Sequence, residues 1–316
     1  MRRLGALVVA EGERRPRLVW RLLILLAVTA LWAIPVSMAA FAAGVAHHLG
    51  LALTFVVLVP PIVLVAWAVD RRSPGELGWP TRGRHWLGVL WGTGVGAGLI
   101  AALAGIEHLV GLSRYRPVAP EWGPLSFNVL ELVLVAIHEE LLFRGYLLTN
   151  LAEGLGGAGA RVRGLILATT LTALGFVIGH VGNPNVSVFG LVNIGLAGVF
   201  LALPFVLRGE LGASIGLHFG WNMAQSLLGM AVSGNELGGA LLERTLLTDD
   251  ELVTGGAFGA EGGALGLGAL VIGTLVVVPL AWRTRDPERA AALGAPPRRA
   301  LASPAPPADK WTPAPN

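Results

Sequence analysis

Glu139, Glu140 and Arg144 fall within a run of residues that is otherwise apolar enough to cross a bilayer. An ionised residue near a membrane helix centre costs about 2.5–3.5 kcal/mol to insert, so such groups tend to pair with one another and to mark functional sites. Four residues apart on a helix, Glu140 and Arg144 share a face and are expected to pair. Glu139 points about 100° away from Glu140, so it can face a cavity and serve as a general base. Two further apolar runs carry polar groups: Phe176 and His180 close one, and His218 and Asn222 lie inside another. An imidazole and a carboxamide side by side on one helix face are the donors that would stabilise an oxyanion forming on an attacked carbonyl. The chemistry these residues suit together is attack of activated water on a carbonyl carbon.

Other chemistries fit less well. His138-Glu139 opens like the zinc motif H-E-x-x-H, but Leu142 stands where the second histidine belongs. Zinc stays open as a cofactor, because Glu139, His180 and His218 from three helices would leave a coordination position for water. The chain has no cysteine, which excludes thiol catalysis and disulfides. Ser214 and Ser226 neighbour His218 and Asn222 without a supporting acid, so a serine nucleophile is not indicated. Each polar group alone also has a structural reading, as a salt bridge or interhelical hydrogen bond. Glu, Arg, two His and Asn on three separate runs make packing alone a poorer explanation.

The elements that must position these groups are membrane helices. Of 316 residues 54% are hydrophobic and 14% charged, against about 25% charged in a soluble domain. Eight stretches approach the ~20 apolar residues that cross a hydrocarbon core: about 22–45, 49–69, 86–111, 127–150, 164–181, 186–207, 210–232 and 262–282. The expected fold is an all-α polytopic bundle of about eight transmembrane helices. Every Lys and Arg except Arg114, Arg116, Arg144 and Arg244 falls on alternate connections. By the preference of basic residues for short cytoplasmic loops, both termini are then cytoplasmic. A cleaved signal peptide would break this alternation, and the first apolar run exceeds a signal core. The net charge of +3 comes from scattered topogenic arginines, so no nucleic-acid partner is indicated. The partner is the lipid bilayer, and the arginine-dominated basic content points to a multi-pass protein of a bacterial plasma membrane.

The chain divides into a basic cytoplasmic lead over 1–21, a membrane domain over 22–283 and a disordered, proline-rich tail over 284–316. The outer loop over about 233–261 carries no constellation of its own. Gly88, Gly92 and Gly96 recur every fourth residue and give a bare helix face for close approach. Gly175 and Gly179 beside His180, and Gly216 and Gly220 around His218, leave room either for a substrate backbone or for another helix.

Taken in order, Glu139-Glu140-x-x-x-Arg144, Phe176-x-x-x-His180 and His218-x-x-x-Asn222 resemble the motifs of the CPBP intramembrane protease family, which includes type II CAAX prenyl endopeptidases. The resemblance implies that Glu139, helped by His180, activates the attacking water. It also implies that His218 and Asn222 hold the oxyanion, while Glu140 and Arg144 orient the site. The substrate implied is a peptide or protein with a membrane-embedded or lipidated segment. No cofactor is required by a glutamate mechanism, although the family has also been described as metal-dependent. Relatives that act as immunity, scaffold or binding proteins supply the alternative reading. A proton-coupled transporter is a more distant one, since no internal repeat is evident.

One geometric demand remains. At a rise of 1.5 Å per residue, His218 lies about 12 Å and His180 about 24 Å from the inner ends of their spans, yet the three motifs must meet.

Overall fold

The computed structural model describes residues 9, 13, 15–44, 46–156 and 160–300. Each of the eight apolar stretches becomes a long helical element. These are α1 (Leu18–Ala42), α2 (Ala46–Ala68), α3 (Gly83–Leu109), α4 (Trp122–Glu140), α6 (Arg161–His180), α7 (Val188–Arg208), α8 (Gly212–Leu227) and α10 (Ala264–Arg283). The fourth does not stop at Glu140. It passes through a π-helical stretch, Leu141–Leu148, into α5 (Thr149–Gly156). Helices α1, α6, α7 and α10, with α3 from His85, are each long and apolar enough to span a membrane. Their outer faces are oily: Leu31, Leu90, Ile178 and Leu275 are all strongly exposed, an exterior that only lipid would cover stably. This is an all-α polytopic membrane protein.

The alternation of basic residues has a direct counterpart in space. Arg208 at the end of α7 bonds Thr284, and Arg161 at the start of α6 donates to the carbonyls of Ala290 and Leu293. Arg289 reaches Thr81 and the carbonyl of Trp79. Arg15, Arg21 and Arg72 converge on Asp70 and Glu153, with Asn150 and Tyr146 completing the network. The arginine-bearing connections thus gather at one end of the bundle. Trp67, Trp86 and Trp282 stand exposed around it, as aromatic side chains do at a membrane interface.

Two expectations are modified. Residues 284–300, expected within a disordered tail, contain α11 (Pro287–Ala292), capped by the Asp286 side chain and docked through Arg161 and Arg289. The proline-rich remainder, 301–316, lies outside the described residues, as does most of the basic lead, of which Arg15 is buried in the charge network. The outer loop, expected to carry no constellation, holds a short helix α9 (Glu251–Thr254) and a strand. Its strand β2 (Leu242–Leu246) pairs antiparallel with β1 (Ser113–Pro117), in the register Ser113↔Leu246 to Pro117↔Leu242. Buried Glu107 pins this two-stranded sheet by accepting hydrogen bonds from Arg244, Ser113 and Tyr115.

Helices α3 and α8 run side by side in the same direction. A Cβ on Gly92 or Gly96 would strike the backbone of α8 at Ala213 or Leu217. One on Gly216 or Gly220 would strike that of α3 at Val89 or Thr93. The glycines near His218 therefore admit another helix. Two residues advance a helix by about 200°, so with Gly216 and Gly220 against α3, His218 and Asn222 face the opposite way, into the bundle. Overpacking a fitted core costs about 1–3 kcal/mol or more. Gly216→Ala is expected to lower the thermal unfolding midpoint in detergent markedly, whereas Gly98→Ala, which meets nothing within 4 Å, should leave it near wild type.

Candidate active site

The three motifs converge on one cavity of about 250 Å³, whose lining includes Glu139, His180, His218 and Asn222. At its base lies a buried charge network. Glu140 Oε1 accepts from Arg144 at 2.8 Å and from His218 Nδ1 at 3.0 Å. Arg144 spends a second N–H on the carbonyl of Gly198 at 2.8 Å, and its guanidinium sits 4.9 Å from the Phe176 ring centroid. Arg144 is 1% exposed and Glu140 fully buried, so both act from behind the cavity wall. The π-helical stretch begins between them at Leu141; such insertions are rare and concentrate at functional sites.

Glu139 takes the other direction, as the 100° step requires. Its Oε2 lies 3.7 Å from His218 Nε2, buried and without a hydrogen bond, and its Oε1 is 3.9 Å from His138 Nε2. A carboxylate oxygen left unpaired in a buried polar pocket is one that a water or substrate must satisfy. Asn222 lines the same cavity, and its carboxamide forms no hydrogen bond among the described residues.

The depth mismatch resolves into an elongated site. Gly198 of α7 packs against Ala173 of α6, and Ser214 of α8 donates to Leu201 of α7. These contacts bring Phe176 to the level of His218, with ring centroids 6.2 Å apart. His180 stands one turn farther out. Its ring leans over Phe176 at 4.6 Å, and its Nδ1 donates to the Phe176 carbonyl at 2.8 Å. Thus Glu139 and His218 form the floor, and His180 stands toward the mouth. Gly179 contributes open space beside His180, whereas Gly175 packs on Phe143.

Glu139, His180 and His218 do not make a zinc site as arranged. Among the described residues no three His, Asp or Glu side chains cluster closely enough to hold a metal ion. His218 Nδ1 bonds Glu140 and His180 Nδ1 its own helix, which leaves each Nε2 without a hydrogen bond to another described residue. The site chemistry is accordingly derived from side chains alone.

Two further residues line the cavity beyond the expected site residues, His138 and Glu261. His138 bonds the Leu134 carbonyl at 3.0 Å and presents its other nitrogen near Glu139; its place beside Glu139 in an apolar run was the available signal. Glu261 comes from the outer loop, against the expectation that this loop carries no constellation. Trp221 and Gln225 donate to its carboxylate at 3.0 and 2.7 Å, and Asn193 clamps its carbonyl. Burial pushes this carboxyl above the usual range, against hydrogen bonds from Gln225 and Trp221 that lower it. Gly259, at φ +97°, makes the turn that delivers it.

Removing one partner of a buried ion pair strands the other charge, at about 3–5 kcal/mol. Arg144→Ala is therefore expected to lower the unfolding midpoint sharply, whereas Asn222→Ala, which breaks no hydrogen bond, should melt close to wild type in the same detergent.

Residues 121–224, from the N-terminus of α4 into the last turn of α8, match the family model described as type II CAAX prenyl endopeptidase Rce1-like. No curated protein and no solved structure matches the chain. The matched segment contains all three motifs and every residue of the charge network on the cavity floor. Residues 121–224 are thus similar to an Rce1-like domain, a match that supports the resemblance to the CPBP family of CAAX-type intramembrane proteases.

Proposed function

We propose that the protein is an intramembrane endopeptidase that cleaves a membrane-embedded or lipid-modified peptide by glutamate-activated water. The observation that carries this reading is the unpaired Glu139 oxygen, buried in a cavity beside His218 and Asn222 and kept apart from the Glu140–Arg144 pair. A peptide carbonyl placed against His218 and Asn222 would have its carbon within reach of a water held by Glu139. Glu139 takes one proton as the water oxygen bonds to that carbon, then delivers it to the leaving nitrogen as the C–N bond breaks. Asn222 donates through its carboxamide to the developing oxyanion.

His218 donates at Nδ1 to Glu140, so donation from Nε2 as well requires the imidazolium form. Arg144 holds Glu140 in place and touches no substrate. His180, nearer the mouth, is set to assist Glu139 and to meet the peptide on entry. The setting proposed is the plasma membrane of a bacterium.

Loss of one oxyanion donor lowers kcat by about 10²–10³. In vesicles containing purified protein and a cleavable membrane peptide, Asn222→Ala is expected to show that loss, and Glu139→Ala no cleavage at all, while both unfold at the wild-type midpoint. Full turnover by Glu139→Ala would remove Glu139 as the base.

A further inference from the structure

Glu261 is a buried carboxylate in the cavity wall that the proposed reaction does not use. It forms no ion pair with a described residue, and its partners are neutral: Trp221 Nε1–H donates to one oxygen at 3.0 Å and Gln225 Nε2–H to the other at 2.7 Å. Burying a carboxylate without a countercharge is costly, and an apolar side chain of similar volume would close this wall more cheaply. What the carboxylate adds is a pair of charge-assisted hydrogen bonds, stronger than neutral ones and held in one geometry.

Both bonds act on one short stretch of α8. Trp221 and Gln225 are four apart and share a face that lies about 60–100° round the helix from Asn222. Asn222 stands close to the end of α8 at Leu227, and helix ends fray. Its carboxamide makes no hydrogen bond to a described residue that would fix it, so its place depends on how firmly the backbone around it is held. Gly220 against Thr93 holds one side of this stretch, and Glu261 holds the side between.

The acid is itself firmly set. Asn193 of α7 donates to the carbonyls of Glu261 and Gly263 at 2.9 and 3.0 Å. A Cβ on Gly259 would strike the Ala231 carbonyl oxygen, and one on Gly266 that of Ala260, so the loop is packed too closely to slide. Gln225 also donates to the Ala231 carbonyl at 3.2 Å, which ties the same stretch of α8 to Val232 and Ser233 in the cavity wall. We propose that Glu261 is a positioning residue, which anchors the end of α8 to α7 and the outer loop and so aims the Asn222 carboxamide at the substrate oxygen. This rests on the proteolytic reading above, in which Asn222 is the oxyanion donor. Both Glu261 oxygens are engaged, so the residue acts through α8 and not on the substrate.

The test is a double-mutant cycle. In vesicles with the cleavable membrane peptide, kcat and KM would be measured for wild type, Glu261→Ala, Asn222→Ala and the double variant, with Glu261→Gln alongside. A misplacement of about 1 Å can cost about 10²-fold in rate, so Glu261→Ala is expected to lower kcat by about 10- to 100-fold at unchanged KM. Because it acts through Asn222, the same substitution made on top of Asn222→Ala should change kcat by less than about twofold. Glu261→Gln should restore most of the lost rate, since Gln225 Oε1 is buried without a partner and a flipped Gln225 could accept from the new amide. An equal loss in both backgrounds would mean that Glu261 serves packing alone and would overturn the proposal, as would an unchanged kcat in Glu261→Ala. Should Glu261→Ala not fold, Trp221→Phe removes one of the two donors without emptying the wall; its loss of kcat must likewise depend on Asn222, and an independent loss would overturn the proposal. No cleavage by wild type would instead refute the proteolytic reading, and the proposal with it.

Discussion

Glu140 is a fully buried carboxylate within an apolar bundle, and its acceptance of hydrogen bonds from both Arg144 and His218 is the constraint on which the site depends. Desolvating such charges is costly, and the mutual attraction repays it only with good geometry and satisfied hydrogen bonds. Arg144 meets that condition with Glu140 on one side and the Gly198 carbonyl on the other. One network therefore ties α4 to α7 and α8, the helices that carry Gly198, His218 and Asn222. The same network fixes the His218 ring by its Nδ1, which leaves Nε2 for the cavity. Glu139, one residue earlier, is turned away from this pairing and retains an oxygen for chemistry.

Backbone contact supplies the second constraint. Side-chain-free faces on α3 and α8 let these helices approach until only glycine fits between them. The approach commits one face of α8 to α3 and the other to the cavity, so that His218 and Asn222 are aimed by the absence of side chains behind them. The outer loop then closes the far side of α8 through Glu261, which engages Trp221 and Gln225 on either side of Asn222 in sequence. Asn222 is held without being bonded, as a donor awaiting a substrate oxygen would be.

Much of this was legible in the sequence because bilayer physics leaves few choices. A Glu and an Arg four apart in an apolar run have little to do but pair, and the spacing of His218 and Asn222 places them on one face whatever surrounds them. The apolar stretches announced eight helices, and the basic residues announced which connections would share an end. What escaped were features set by tertiary contact. The continuation of α4 through a π-helical stretch has no signature in periodicity. Glu261 lies about forty residues beyond the third motif in a glycine-rich loop, and only the clamp by Asn193, Trp221 and Gln225 gives it a place. The docking of α11 depends on Arg161 and Arg289 finding carbonyls and a hydroxyl across the bundle, which composition alone reads as disorder. The difference in depth between His180 and His218, about 12 Å on ideal straight helices, shrinks to about one helical turn of 5.4 Å, because packing sets Phe176 level with His218 and leaves His180 one turn farther out.

The central claim is that Glu139 hydrolyses peptide bonds within the membrane. The most direct measurement is quantitative sequencing of new peptide termini in membranes from cells expressing the wild-type protein or Glu139→Gln at matched levels. The account predicts a set of termini present with wild type and missing with the variant. Identical maps from the two, with the variant folded and present at the wild-type level, would contradict it.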